Sequence, residues 1–457
     1  MAHKNTFDYD LIVIGSGAGG SAAATIAARE GKKVAIIESG VFGGDSPNYS
    51  DVPTKALLHV ANLYDEAKRG SRFGLRSATL GYNYPSIRAW KDLAIKRTGA
   101  GGNKKYYENQ GIDTFAGKAH FITPNEVSFN RRRLSAANFL IASGAHWITP
   151  EITGLKDLHF YTPRTILEAT SPPKNLLIIG GGETGVELAM LMAIFGTKVY
   201  IVEKAGRLLP HHDREVGELV EKMLSEQKGV TILTHSRVIS VEKKGLQKKI
   251  IVSRADNEKT FNVDDILVAA GKEPNVDIGL ENAGVKYTAK GVETNDHLQT
   301  NIKHIFAAGD VTGHDRVTHT ALLESQVVAN NIFNREKITP DYTATPEILF
   351  IHPSIATVGL SEDDCQKRDL HINKSIAPLN IIARSNTSDF QDGFVKIITN
   401  KKGVILGATI VAPHAGEIIH ELALAVKYGL TAAQIAATPH AFLSWSEAVR
   451  VAASKLS

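Results

Sequence analysis

Two glycine-rich segments of the chain carry residues that can bind phosphate and ribose groups. In such a segment a first glycine makes a tight turn, a second lets the backbone approach a pyrophosphate, and a third lets a helix pack on a strand. The phosphate lies against free N–H groups at the helix N-terminus, and a later acid accepts hydrogen bonds from ribose hydroxyls. Because both segments have an acid at the same interval, the chain is predicted to bind two dinucleotides, or one molecule each of two kinds. The residues are Gly15, Gly17 and Gly20 with Glu38, and Gly180, Gly182 and Gly185 with Glu203.

The elements that must position these residues are a strand, a helix and a second strand around each glycine segment. Apolar runs predict the strands, and small or apolar residues between them predict the helices. The βαβ order is typical of a Rossmann-like domain with a parallel sheet, so the sequence predicts an α/β protein with two such domains. The predicted bounds are 11–14, 21–30 and 34–37 in the first unit, and 176–179, 186–195 and 199–202 in the second.

The segment that follows the first unit, at 43–55, resembles the redox-active segment of the flavoprotein disulfide reductases (class I pyridine nucleotide-disulfide oxidoreductases). This family includes dihydrolipoamide dehydrogenase and mercuric reductase, and its members carry a redox-active cysteine pair in this segment. Ser46 and Asp51 stand in the two cysteine positions, and neither residue can form a disulfide. The positions that match the family pattern are Gly43, Gly44, Asn48, Pro53 and Lys55.

The resemblance covers the whole chain and implies FAD at the first glycine segment and NAD(P)H at the second. In the family, segments like 115–119, 141–144 and 305–311 hold the flavin nucleotide, and a helix like the one predicted over 320–333 is aimed at the flavin ring. The segment 267–275 resembles the exit from the NAD domain. Besides the two glycine sets and their glutamates, the cofactor-binding candidates are Gly44, Lys55, Ala119, Gly144, Gly271, Gly309, Asp310 and His319.

The order of these motifs predicts a domain that is inserted into another. We expect an FAD-binding domain over 1–150, an NAD(P)-binding domain over 151–276, and the second part of the FAD-binding domain over 277–344. Residues 345–457 resemble the α+β interface domain of the family, which implies a homodimer.

Lys55 and Glu187 match an ion pair that the family places beside the flavin N5 atom, where a cation favours the electron-rich reduced ring. An ordinary structural ion pair is the alternative. The family also has a catalytic histidine held by a glutamate from the partner subunit. Here Glu447 is present, but Phe442 takes the place of that histidine. The catalytic candidates are Lys55, Glu187, Asp51, Ser46 and Glu447, although Asp51 has a purely local hydrogen-bonding role as its alternative.

The joint loss of both cysteines and the histidine argues against disulfide reduction. We expect an FAD-dependent NAD(P)H oxidoreductase that passes hydride from NADH to flavin and then to a small-molecule acceptor. A quinone, a dye, oxygen, a metal ion or a second nicotinamide would serve as that acceptor. The alternative is a catalytically attenuated flavin- and nucleotide-binding protein that acts as a redox sensor or a structural dimer. Glu203 would repel a 2′-phosphate, so NADH is expected in preference to NADPH.

Composition restricts the other function classes. The 457 residues are 43% hydrophobic, as in a globular protein of about three domains. No run approaches the roughly 18 apolar residues of a membrane span, and the first ten residues lack a signal peptide. One cysteine and no export signal fit a cytoplasmic protein, and a net charge of +4 gives no reason to expect nucleic-acid binding. The segment 211–213 has the composition of a metal cluster, but adjacent residues rarely share one face, so no metal site is predicted.

Overall fold

The structure is a computed structural model that describes residues 7–76, 80–255, 257–313 and 317–457. The first elements are β1 (Tyr9–Ile14), α1 (Ala18–Arg29), β2 (Val34–Glu38), α2 (Asp45–Asn48), α3 (Asp51–Arg69), α4 (Tyr84–Arg97), α5 (Lys104–Glu108), β3 (Asp113–Ala116), β4 (His120–Thr123), β5 (Glu126–Phe129), β6 (Arg132–Ile141) and β7 (Ala145–Trp147). They are followed by β8 (Asn175–Ile179), α6 (Glu183–Ile194), β9 (Lys198–Val202), α7 (Arg214–Glu226), β10 (Val230–Leu233), β11 (Arg237–Lys244), β12 (Gln247–Arg254), β13 (Asn257–Val263), β14 (Asp265–Val268), β15 (Lys272–Pro274), β16 (Tyr287–Thr288), β17 (Gly291–Val292), β18 (Ile305–Ala307) and α8 (Thr318–Phe333).

The C-terminal elements are β19 (Pro346–Leu349), β20 (Ser354–Gly359), α9 (Glu362–Lys367), β21 (Ile372–Pro378), α10 (Ala383–Ser388), β22 (Phe394–Asn400), β23 (Ile405–Ala412), α11 (Ala415–Tyr428), α12 (Ala432–Ala437) and α13 (Glu447–Ser454). None of the helices in the described ranges is long and apolar enough to cross a membrane. The chain divides into two compact units. Unit 1 contains Met1–Leu57, Pro85–Ile148 and Gly271–Asp341, and unit 2 contains Leu58–Tyr84, Thr149–Ala270 and Tyr342–Ser457.

Unit 1 is built on a sheet with strand order β3-β2-β1-β6-β5-β4, in which β18 also pairs with β6. Strand β1 lies between β2 and β6 and is parallel to both. The long β6 pairs with β5 in its first half and, in parallel, with β18 in its last residues. Parallel strands end at one edge of a sheet, so the last residues of β1, β2, β6 and β18 and those just after them gather there. Those residues include Gly15, Glu38, Gly144 and Gly309, which the sequence assigned to the flavin nucleotide.

The strand β1 shows why this sheet is covered on both faces. Ile12 and Ile14 belong to one buried cluster, whereas Leu11 and Val13 belong to another that includes the alanines of α1. Successive residues of a strand point to opposite faces, so a continuous apolar run requires a cover on each side. The predicted parallel sheet in an α/β fold is therefore confirmed.

Unit 2 contains the second glycine segment at the carboxyl edge of a parallel sheet with order β10-β9-β8-β14. It also contains a three-stranded antiparallel sheet, β11-β12-β13, and an antiparallel five-stranded sheet, β19-β20-β23-β22-β21. One face of the five-stranded sheet is packed with apolar residues of α11, α12 and α13. The α+β character expected for the C-terminal region is thus present.

Both nucleotide-turn helices begin earlier than predicted. We predicted starts at 21 and 186, but α1 begins at Ala18 and α6 begins at Glu183. Glycine is a poor helix former, so its presence in the first turn misled the prediction. In the structure Gly17 and Gly182 are the N-caps, so each helix begins directly at its turn and directs its free N–H groups there.

Unit 2 also encloses a lysine that the pattern of β22 did not predict. Lys396 is fully buried, and its ammonium group forms ion pairs with the carboxylates of Asp213, Glu215 and Glu362. Burial alone would lower the pKa of Lys396, but the three carboxylates hold that pKa above its usual value. A buried ion cluster therefore fixes β22 against the segment that begins α7.

Candidate active site

Two glycine backbones face each other at the carboxyl edge of the unit 1 sheet. A Cβ atom added to Gly44 would lie 2.6 Å from the Gly17 Cα atom. Gly44 also has φ +70°, a conformation that residues with a side chain rarely adopt. Gly17 caps α1, so the two glycines form a cradle without side chains beside the free N–H groups of that helix. This is the geometry that a pyrophosphate group needs, and the cradle fits the dinucleotide part of FAD.

The two glutamates that follow the glycine segments have matching hydrogen bonds. The Glu38 carboxylate accepts from the Ser16 backbone N–H at 2.8 Å and from the Gly40 N–H at 2.7 Å. The Glu203 carboxylate accepts from the N–H groups of Gly181 and Ala205, each at 2.7 Å. Each glutamate is therefore held against its own glycine turn, as a ribose-binding acid must be. A carboxylate has about four lone-pair sites, so each keeps capacity for a ribose hydroxyl.

The second flavin segment lies against the first in unit 1. A Cβ atom added to Gly19 would meet the Ala308 carbonyl oxygen at 2.7 Å, so α1 begins directly against the end of β18. The Gly309 N–H donates to the Glu324 carboxylate of α8 at 2.6 Å. Asp310 follows and forms an ion pair with Lys272 at 3.4 Å. Sequence analysis did not foresee the Lys272 contact, which holds the acid at the edge of the cradle.

The remaining cofactor candidates occupy positions consistent with backbone roles. Gly15 has φ +103°, and a Cβ there would lie 2.2 Å from the Ala142 carbonyl oxygen, whereas Gly20 packs against the Gly15 carbonyl. The carbonyl groups of Gly144 and Gly271 accept from the backbone N–H groups of Asn275 and Ile148. Gly180 has φ +112°, and Gly182 and Gly185 lie at the start of α6. Ala119 is buried before β4, whereas His319 is exposed in α8. Their contacts with cofactors remain predictions.

Ser46 and Asp51, which the family resemblance places in the two cysteine positions, are hydrogen-bonded to each other. The Ser46 hydroxyl donates to the Asp51 carboxylate at 2.8 Å, and the Thr318 hydroxyl donates to the same oxygen at 2.7 Å. The Lys55 ammonium lies 3.7 Å from the other oxygen of Asp51. Sequence analysis missed Thr318, which begins α8 and for which the only signal was the predicted helix start nearby. This cluster has two hydroxyls, a carboxylate and a cation, and no group that can store electrons.

Glu187 lies in α6, within unit 2. Its carboxylate accepts from the Phe350 backbone N–H at 2.8 Å, so it attaches the end of β19 to that helix. The ion pair between Lys55 and Glu187 stays a prediction.

The C-terminal segment 440–447 is the one that the family resemblance predicts to correspond to the proton-transfer pair. His440 donates or accepts at 2.7 Å with Glu421, and Phe442 is 73% exposed in the single chain. The Oε2 atom of Glu447 is buried and has no hydrogen-bond partner within the part of the chain that the structure describes. A phenylalanine in place of a histidine can neither satisfy this oxygen nor move a proton.

Cys365 does not restore redox chemistry. It is fully buried in α9. Burial and the neighbouring Asp364 carboxylate raise the pKa of the Cys365 thiol, which lowers the thiolate fraction.

Comparisons with known proteins agree with this geometry. The family model described as pyridine nucleotide-disulphide oxidoreductase matches residues 9–327, and its dimerisation-domain model matches residues 345–453. The mercuric reductase of Staphylococcus aureus is 33% identical over 449 residues, which cover 98% of this chain and 82% of that protein. The dihydrolipoyl dehydrogenase of Geobacillus stearothermophilus is 32% identical over 452 residues, which cover 97% and 95%.

Among solved structures, the chain is similar to the Cu(II) complex of a mutant of RclA, an HOCl-induced flavoprotein disulfide reductase from Escherichia coli. That structure has a TM-score of 0.88 and 26% sequence identity, and the match covers 98% of this chain and 99% of the other. The similarity extends over both units, so the fold and the family motifs both indicate the same family.

Proposed function

We propose that this chain, which belongs to the pyridine nucleotide-disulphide oxidoreductase family, passes electrons from NADH by way of FAD to a small non-disulfide acceptor. Membership of this family supports an FAD-dependent pyridine nucleotide oxidoreductase. The acceptor class and the choice of NADH are the proposed parts.

One observation carries the proposal. The Ser46 hydroxyl and the Asp51 carboxylate stand where the family has its cysteine pair, and they are hydrogen-bonded to each other at 2.8 Å. A hydroxyl and a carboxylate cannot cycle between thiol and disulfide. Cys365 is the only cysteine of the chain, and its burial in unit 2 withholds it from that role. Electrons that reach the flavin would therefore leave it directly for an external acceptor, without passing through a cysteine pair of this chain.

The chain's own residues support the first half of this reaction. Bound FAD supplies the hydride acceptor and donor. The cradle at Gly17 and Gly44 would hold its pyrophosphate, and Glu38 and Asp310 would accept from its hydroxyl groups. Lys55 would place a positive charge beside the flavin ring. Its ammonium group lies 3.7 Å from a carboxylate oxygen of Asp51. The Lys55 cation would favour hydride arrival at the flavin, and the Asp51 carboxylate would offset part of that effect.

We place a quinone first among the acceptors. Carboxylate and hydroxyl oxygens are poor ligands for soft metal ions, so Hg²⁺ is disfavoured despite the similarity to mercuric reductases. In a dimer built like those of the family, each subunit would supply Phe442 to the acceptor site of the other. An aromatic side chain there offers a stacking surface in place of a proton donor.

An anaerobic experiment with the purified holoprotein tests the proposal. NADH should bleach the flavin absorbance, and a quinone should restore that absorbance and support repeated turnover. Cu(II), a dye and oxygen are the comparison acceptors, and an oxidised dithiol such as lipoamide is the negative control. If NADH bleaches the flavin but none of the acceptors supports turnover, the redox-sensor alternative is favoured and the proposal is defeated.

The electron capacity of the protein is a second expected result. A disulfide reductase stores two electrons on sulfur and two on flavin, so this chain should take up only two per FAD. A dithionite titration under argon should also show no long-wavelength band, because a carboxylate holds its electrons too tightly to donate them to the flavin. An uptake of four electrons would reveal another redox centre.

The matched variant for this titration carries Ser46→Cys together with Asp51→Cys. Its thiolate should restore the long-wavelength band and raise the uptake above two. Efficient disulfide turnover should stay absent, because Phe442 cannot transfer a proton. A Ser46→Cys single variant is the control, since one thiol cannot close the disulfide.

Glu203 leads us to expect a preference for NADH. Its carboxylate is fixed at the end of β9 by two backbone N–H groups, where it would meet the ribose 2′ position. We expect kcat/KM for NADH to exceed that for NADPH by about tenfold or more, because the Glu203 carboxylate would repel the 2′-phosphate of NADPH. Lys204, which lines a pocket with His235 and Arg237, would attract a phosphate. Lys204→Gln should therefore widen the preference, and equal efficiencies in the unmodified protein would refute it.

We also propose a homodimer through residues 345–457. The match to the dimerisation-domain model supports this, and several large apolar side chains there are exposed in the single chain. They are Leu424, Tyr428, Phe442 and Leu443. Sedimentation at micromolar concentration should give the mass of two chains, and Tyr428→Glu should shift the distribution toward one chain. A monomer in the unmodified protein would contradict the proposal.

A further inference from the structure

Three possible metal ligands converge in unit 2, outside the residues assigned above to catalysis. The His212 Nε2 atom lies 2.7 Å from a carboxylate oxygen of Glu183. These two atoms and a carboxylate oxygen of Glu347 all lie within 4.8 Å of one another. Metal–ligand bonds of about 2.0–2.2 Å place donors of one coordination sphere roughly 3–4 Å apart. The three donors therefore need only small movements to bind one ion.

The fold brings two of these residues together through the nucleotide turn. The Leu209 N–H donates to the Gly181 carbonyl at 2.9 Å, so the loop after β9 lies against the start of α6. Arg207 closes this loop by donating to the carbonyl oxygens of Pro210 and His212 at 3.0 and 2.8 Å. The imidazole of His212 is thus buried beside the first residue of the helix, Glu183.

The third residue comes from a strand that is attached to the same helix. Glu183 and Glu187 are one helical turn apart and share a face of α6. Glu187 accepts from the Phe350 N–H, which holds the end of β19 against that face. Glu347 lies in β19, in register with Thr357 of β20. Donors on a helix, a closed loop and a paired strand are well positioned before an ion arrives.

We infer that Glu183, His212 and Glu347 bind one divalent transition-metal ion beside the second glycine turn. One imidazole and two carboxylates suit Mn²⁺, Co²⁺ or Zn²⁺, and the donor set lacks the thiolates that softer ions require. His212 is buried while Glu183 is exposed, so the ion has an open path from solvent. The adjacent segment 211–213 does not act as a unit, because Asp213 is paired with Lys396.

The position of this site has a consequence for nucleotide binding. An ion bound by Glu183, His212 and Glu347 would add positive charge beside the N-terminus of α6, close to the second glycine turn where an anionic dinucleotide is proposed to bind. We therefore expect the ion to tighten NADH binding, and NADH to tighten ion binding by the same factor. This consequence depends on the proposed NADH site, whereas ion binding itself does not.

Electron paramagnetic resonance of Mn²⁺ tests the site directly. Chelator-treated holoprotein without a polyhistidine tag should remove about one Mn²⁺ per chain from the free-ion signal, and Zn²⁺ should displace it. Glu347→Gln and His212→Gln should each weaken binding by about tenfold or more, as for loss of a ligand or its support. Glu218→Gln is the matched control, because Glu218 is an exposed acid of α7 paired with Arg214.

The Mn²⁺ titrations decide whether this metal site exists and whether it is coupled to nucleotide binding. Saturable binding that Glu347→Gln and His212→Gln both weaken supports the site, provided that both variants keep their flavin and unfolding midpoint. No binding up to millimolar Mn²⁺, or binding that both substitutions leave unchanged, would overturn it. If Mn²⁺ binds as expected but leaves the NADH affinity unchanged, the site stands and its coupling to the nucleotide is refuted.

Discussion

The Gly44→Ala variant should be purified nearly free of flavin. The new Cβ atom would lie 2.6 Å from the Gly17 Cα atom, and the three atoms nearest to it all belong to the Gly17 backbone, so the cradle must open. The residue would also be strained at φ +70°. We expect an affinity loss of about 100-fold or more, equivalent to ~2.7 kcal/mol. The measurement is flavin released per chain, followed by titration of the stripped protein with FAD.

Gly31→Ala separates strain from crowding. Gly31 has φ +76°, close to that of Gly44, but an added Cβ there would meet nothing within 4 Å. The control should therefore be destabilised by about 1–2 kcal/mol while it retains its flavin. Circular dichroism establishes that both variants are folded. If the Gly44→Ala protein stays as yellow as the control, the cradle is not where the pyrophosphate binds.

Replacing Lys396 by methionine should strongly destabilise unit 2. The side chain is fully buried, and its loss would leave the carboxylates of Asp213, Glu215 and Glu362 without their shared cation. Removing one partner from a buried ion cluster costs about 3–5 kcal/mol. Urea unfolding, followed by tryptophan fluorescence near neutral pH, should show the midpoint shift.

Two further variants identify charge as the cause. Lys222→Met removes an exposed lysine that pairs with Asp392, and it should leave the midpoint nearly unchanged. Adding Asp213→Asn to Lys396→Met should recover part of the loss, because it removes the buried carboxylate charge that pairs with Lys396. A double variant as unstable as the single one would assign the effect to packing instead.

The pH dependence of this cluster follows from the directions of two pKa shifts. The pKa of Lys396 is above its usual value of about 10.4, so its contribution is present below that pH and is lost as pH rises through the folded-state pKa. Burial opposes ionisation of Glu362, but Lys374 and Lys396 hold its pKa below the usual value of about 4.3. Its contribution is present above that pH and is lost as pH falls through the folded-state pKa. The cluster should therefore stabilise unit 2 fully between these limits.

The sequence by itself determined the parts of this protein that depend on local rules. Glycine spacing and apolar runs predicted both βαβ units, because a turn with positive φ and a two-sided parallel sheet restrict residue types position by position. It also determined that positions 46 and 51 hold no cysteine, and serine and aspartate lack sulfur in any fold. The helix starts were misplaced by three residues, because glycine within the first turns has low helix propensity.

Only the tertiary structure decided which distant side chains share a site. The Asp51 carboxylate accepts from Thr318, which is far along the chain, and no periodic pattern encodes that contact. The alternation of β22 gives no hint that Lys396 is buried, because its compensating acids come from two other segments. His212 likewise resembled part of a local histidine cluster, whereas its neighbours in space are Glu183 and Glu347. Charges and metal ligands are paired by distance in the folded chain, and only the packing of strands and helices sets those distances.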